Sequence, residues 1–92
     1  MNFDQKYKID ENNISYRIIG DEALILNLEN GSTYSLNKSG ARIWEAIDKG
    51  RQLDGILRTL KEMYDLPEER LKDDLVKLVK DLEQEKLITP LK

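Results

Sequence analysis

A chain of 92 residues makes one small domain that buries only about 60 to 65% of its unfolded-chain surface, so a deep catalytic cleft is not expected. Its 15 basic and 18 acidic side chains leave a formal net charge of −3, which argues against a general affinity for nucleic acid or other polyanions. Cys and His are both absent, which excludes thiolate nucleophiles, imidazole bases, Cys/His metal sites and disulfides; a role that is not enzymatic and needs no cofactor is expected.

The first ten residues, MNFDQKYKID, contain no apolar run of the signal-peptide kind, and no stretch approaches the roughly 18 apolar residues of a membrane span. A cytoplasmic protein is therefore expected, with residues 1–13 as a flexible N-terminal segment and 14–89 as a single domain. Ile14, Tyr16 and Ile18 alternate with Ser15 and Arg17, which predicts a first strand ending at Gly20-Asp21. A second strand follows at 22–28, with Leu24, Leu26 and Leu28 on one face and Ala23, Ile25 and Asn27 on the other. Asn30-Gly31 favours the positive φ values of a type I′ hairpin turn, which would set the register with a third strand at 32–37. There Tyr34 and Leu36 share a face and Thr33 and Ser35 occupy the other.

The period then changes from two to about 3.6. Ala41, Ile43, Trp44 and Ile47 fall on one side of a helix over about 38–49, entered through Asn37 or Ser39 as N-cap and closed by Gly50. Trp44, among Ile43 and Ile47, reads as core packing. Leu53, Ile56, Leu57, Leu60 and Tyr64 mark a second helix, which Asp65-Leu66-Pro67 ends. Pro67 suits the first turn of a third helix, Glu68 and Glu69 suit the positive end of its dipole, and the helix is expected to reach about Lys86. On a helical wheel Leu71, Leu75, Leu78 and Leu82 form its main buried stripe. Val76 and Val79 lie about 60 to 120° to one side of Leu82, beside Lys72 and Glu83. That apolar shoulder either packs under the sheet or the first helix, or forms a groove wall.

The succession Leu26-Asn27-Leu28, Asn30-Gly31, Tyr34, Leu36-Asn37, Gly40-Ala41, Ile43-Trp44-Glu45, then Tyr64-Asp65 and a final helix before Leu87-Ile88, resembles the PqqD family over roughly residues 14–89. These are small peptide chaperones, or RiPP recognition elements, that hold the leader of a ribosomally made precursor peptide for modifying enzymes. Two positions depart from the family pattern: Gln52 stands where many members have a Thr-type cap, and Lys86 where many have a Gly nearby.

The resemblance implies an α+β, winged-helix-like fold: an N-terminal three-stranded antiparallel sheet, then three helices. It implies a leader peptide that adds as an extra strand along Ser32, Thr33, Tyr34, Ser35, Leu36 and Asn37, whose exposed edge would offer unpaired N–H and C=O groups. Tyr34, Leu36, Leu75, Val76 and Val79 would then supply apolar pockets, with Lys72, Lys80 and Glu83 at the rim selecting charge. Residues 1–13, or a second copy of the chain, are the alternative occupants of that edge. The implied partners are the precursor leader and a modifying enzyme, either a radical SAM enzyme or a lasso-peptide protease and cyclase.

The chief rival is a winged-helix DNA-binding regulator, which shares the outline of a hairpin with three helices. Residues 68–86 carry seven acids against five bases, and phosphates would repel such a recognition helix. The pairs Glu68-Glu69 and Asp73-Asp74 do not suggest a metal site, because adjacent helical residues diverge by about 100°.

Overall fold

The structure is a computed structural model and describes residues 2–91. The elements in chain order are β1 (Tyr7–Lys8), β2 (Ile14–Ile19), β3 (Glu22–Asn27), β4 (Thr33–Leu36), α1 (Lys38–Asp48), α2 (Leu53–Met63), α3 (Glu68–Gln84) and β5 (Thr89–Pro90). The fold is α+β. Strands β2, β3 and β4 form an antiparallel sheet in that order, three helices follow, and β1 pairs with β5 in a separate antiparallel ladder.

The two hairpins are built differently. Gly20-Asp21 joins β2 to β3 as a two-residue loop with Ile19 opposite Glu22, and only Gly20 has a positive φ, of 63°. The second hairpin is not the type I′ turn expected from Asn30-Gly31, because Gly31 alone is left-handed, at φ 74°. A longer loop connects β3 to β4. The Asn27 N–H donates to the Ser32 carbonyl, and the Gly31 N–H donates back to the Asn27 carbonyl at 2.8 Å. The buried Asn27 side chain accepts from the Glu29 N–H at 2.9 Å, and the Asn30 side chain accepts from Ser32. Side-chain acceptors that bond the backbone two residues on hold this loop without a second left-handed residue.

Register decides which sheet face is covered. Tyr16–Ile25–Tyr34 and Ile18–Ala23–Leu36 lie across the strands, and the helices pack on this side. Ala23, Ile25 and Leu36 are buried there with Ile43, Trp44 and Ile47 of α1. Leu24 and Leu26 of β3 lie on the other face, where Leu24 is 40% exposed, and Leu28 just beyond the strand is 55% exposed. Trp44 is completely buried and meets Tyr16 edge-on, with ring centroids 5.5 Å apart; such a pair adds about 0.5–1.5 kcal/mol to area burial.

Helix ends follow local chemistry. Asn37 is the N-cap of α1, its side chain accepting from the Gly40 N–H at 3.0 Å. Gly40 packs closely here: a Cβ would come 3.2 Å from the Leu36 side chain, which would have to give by a few tenths of an ångström. At the other end Gly50 is left-handed, and Arg51 N–H reaches the Ala46 carbonyl, closing a Schellman motif. Helix α3 stops at Gln84, two residues short of the expectation, with the same motif: Lys86 N–H bonds Glu83, Leu87 N–H bonds Leu82, and Lys86 itself is left-handed at φ 60°.

Residues 1–13 were expected to form a flexible segment; Met1 lies outside the described residues, and 2–13 carry β1 and bury Tyr7. They also supply the α2 cap that Gln52 does not: Leu53 and Asp54 donate their N–H groups to the carbonyls of Gln5 and Phe3. Pairing of β1 with β5 takes this segment away from β4.

Candidate functional site

Strand β4 has β3 on one side and, among the described residues, no strand on the other. In an antiparallel ladder alternate residues turn both backbone polar groups to the same neighbour. Since Asn27 donates to the Ser32 carbonyl, the residues Ser32, Tyr34 and Leu36 face β3 with their backbone groups. Thr33 and Ser35 consequently aim theirs at the open edge, where they meet no partner among the described residues. Beside this edge lies a cleft of about 460 Å³, lined by Tyr34 to Asn37 on β4, by Ser39, Gly40 and Ile43 at the start of α1, and by Asp74 and Leu78 of α3.

The α3 wall of the cleft is acidic around one leucine. Asp74, Leu78, Asp81 and Glu85 recur at steps of four, three and four, which places them on one side of the helix. Tyr34 reports their field: burial raises its hydroxyl pKa above the usual value, and the charges of Asp81 and Glu85 raise it further. The C-terminal end of the α3 dipole adds negative potential at the same place.

The residues proposed from sequence fall in several places. Ser32 belongs to the hairpin loop; Thr33 and Ser35 point side chains to the outer sheet face and backbone to the edge. Tyr34 is half-buried in the cleft, Leu36 is buried beneath it, and the Asn37 side chain is occupied by the α1 cap. Leu75 and Val79 have no exposed surface and belong to the core, so Val79 replaces Leu78 in the buried stripe. Lys72, Val76 and Lys80 line a different depression around Phe3, where Lys72 Nζ sits 4.8 Å from the ring centroid. Glu83 accepts from the Tyr7 hydroxyl at 3.2 Å. Asp74 and Leu78, together with Ser39, Gly40 and Ile43, line the cleft but were missed. For Asp74 and Leu78 the sequence signal is the spacing of Asp74, Leu78, Asp81 and Glu85 along one side of the helix.

Among the described residues no cluster of acidic side chains could hold a metal ion, and no helix is long and apolar enough to cross a membrane.

Comparison with known proteins gives one family and two similar solved structures. The family model of coenzyme PQQ synthesis protein D (PqqD) matches residues 22–88. The structure of TbiB1 in complex with the TbiA(beta) leader peptide is 25% identical, with a TM-score of 0.83 over 88% of this chain and 93% of that one. Lasso peptide synthetase B1 complexed with the leader peptide is 19% identical and also scores 0.83, over 92% of this chain and 99% of that one, a likeness of fold alone. No protein of curated function matches the sequence. The matched span runs from β3 through all three helices to Ile88 and includes the β4 edge and the cleft beside it, and the chain belongs to the PqqD family.

Proposed function

We propose that this chain is a recognition element for the leader of a ribosomally synthesised precursor peptide, which it captures by strand addition and presents to a modifying enzyme. The observation that carries this is the free edge of β4, with Thr33 and Ser35 offering two N–H and two C=O groups beside a preformed cleft. An extended peptide pairing there would place alternate side chains toward Tyr34, Ile43 and Leu78. Main-chain bonds supply general affinity, each contributing about 0.5–1.5 kcal/mol, and the cleft supplies selectivity.

Membership of the PqqD family supports this reading, as does the similarity to TbiB1, which was solved with a leader peptide. The acidic wall formed by Asp74, Asp81 and Glu85 favours leaders that bring a basic side chain to that side of the added strand. The partner enzyme is a lasso-type protease and cyclase or a radical SAM enzyme.

The test is titration of the purified chain with the leader of the precursor encoded beside it, followed by calorimetry and amide shifts. Saturable binding with shifts at 33–37 and around Leu78 is expected. No binding, or binding mapped to another face, would refute the assignment.

A further inference from the structure

A second groove, between α1 and α2, collects cations that the fold leaves unpaired. It has a volume of about 470 Å³, and Ala46, Gly55 and Thr59 form its floor. Arg42 is held by Glu45 at 3.0 Å. Lys49, Arg51 and Arg58 are exposed and form no ion pair among the described residues; Glu62 is the other carboxylate in the lining. In a chain of net charge −3 this groove is a local excess of positive charge, so the rest of the protein is more acidic still.

Gly55 provides an independent observation. It lies inside α2 without a positive φ, and a Cβ added there would meet nothing within 4 Å. It stands in the first turn of α2, where neither backbone conformation nor packing calls for glycine. One turn on, Thr59 Oγ1 donates back to the Gly55 carbonyl at 3.2 Å, a bond that weakens and bends helices. Both features leave the α2 backbone open at the groove floor, between the free cations, where another chain can approach closely.

We propose that the α1–α2 groove is a docking site for a short acidic segment of a partner protein. Guanidinium groups pair with carboxylates bidentately, and two or three carboxylates on one segment match Lys49, Arg51 and Arg58. A polyanionic duplex fits worse, because it needs many more cationic contacts and the surrounding surface repels it. On α1 the side chains lining this groove lie roughly 120° around the helix from Ser39, Gly40 and Ile43 of the β4 cleft. A partner seated here leaves the cleft free, so a bound peptide and a second protein can be held together.

The experiment is an NMR titration of the full chain with a capped nonapeptide of alternating Glu and Ala; a Lys/Ala nonapeptide and a short DNA duplex serve as comparison probes. The Glu peptide is expected to shift the amides of Ala46, Gly55 and Thr59 saturably and the Lys peptide is not. Arg51→Glu with Arg58→Glu should weaken the response at least about tenfold. Gly55→Leu, which fills open space, should block it while leaving the fold intact. No shifts at these amides, a response that survives the double charge reversal, or a stronger response to the duplex would overturn the proposal. Binding of the neighbouring leader by the Arg51→Glu/Arg58→Glu chain should match wild type, and its loss would overturn the separation of the two surfaces. Because the nonapeptide assay uses no leader, it stands or falls apart from the assignment of the β4 cleft.

Discussion

Leu78 and Val76, two residues apart on α3, face different depressions: Leu78 lines the cleft with Tyr34 and Ser35, whereas Val76 lines the one with Phe3 and Lys80. The fully buried Leu75 and Val79 separate them. Only the Leu78 side looks toward the open edge of β4, so only that side can read a peptide added there.

A pair of charge substitutions separates the two shoulders. Leu78→Glu should raise the Kd for the neighbouring leader at least about tenfold, or about 1.4 kcal/mol, by placing a carboxylate in an already acidic cleft. Val76→Glu should leave it within about twofold. Calorimetric titration measures both, with circular dichroism confirming the fold. Equal losses would show that the added strand does not meet the Leu78 wall.

Ser35→Pro tests the ladder itself. The Ser35 N–H faces the open edge, so its removal leaves the β3–β4 bonds in place, and proline is tolerated on an edge strand with its nitrogen outward. The melting temperature should change little, while leader affinity falls about tenfold from a lost donor and the pyrrolidine ring in the pairing plane. Tyr34→Pro removes a donor aimed at β3 and should destabilise the fold by about 1–3 kcal/mol. Normal binding by Ser35→Pro would place the peptide elsewhere.

Lys86 occupies at the end of α3 the left-handed position that Gly50 occupies at the end of α1. A residue with a Cβ pays roughly 1–2 kcal/mol for that conformation. Lys86→Gly should therefore stabilise the chain by about 1 kcal/mol, partly offset by the greater freedom of glycine when unfolded. For a domain of this size that is a rise of about 4–8 °C in Tm, read by thermal denaturation. Gly50→Lys should do the reverse.

Alkaline pH should destabilise the protein through two tyrosines. Tyr16 is pushed up to about 12 chiefly by its 2.7 Å hydrogen bond to Asp48 and then by burial; Tyr7 is pushed up to about 12 chiefly by burial, then by the charge of Glu83. The folded state favours the neutral phenols, so their contribution is whole below pH 10, the ordinary value, and is lost as pH rises through 12. Melting temperature should fall across that window, and less steeply in Tyr7→Phe and Tyr16→Phe. Tyrosinate absorbance that rises at pH 10 in the native protein and is diminished by Tyr7→Phe or Tyr16→Phe would contradict the shift.

Local chemistry was legible for the central sheet and the three helices. Alternation predicts strands at 14–19 and 22–28, which form at 14–19 and 22–27, and Gly50 ends α1 as expected; of the two caps the sequence offers, Asn37 is the one used, and three of the four stripe leucines are buried, with Val79 in place of Leu78. The type of the second hairpin was not legible, because the Asn27 side chain competes for the turn only once it is buried.

Periodicity determines which residues share a face; it does not determine what covers that face. Leu24, Leu26 and Leu28 look the equal of Ala23, Ile25 and Asn27, yet the face α1 covers is the latter, where Ala23 and Ile25 are buried with Ile43, Trp44 and Ile47. The same ambiguity governed α3. Its leucine stripe marked the core side, but two shoulders flank it, and only the docking of α3 beside the β4 edge decided that Asp74 and Leu78, rather than Lys72, Val76 and Lys80, line the cleft. That choice depends on contacts between residues some forty positions apart, which no local pattern records.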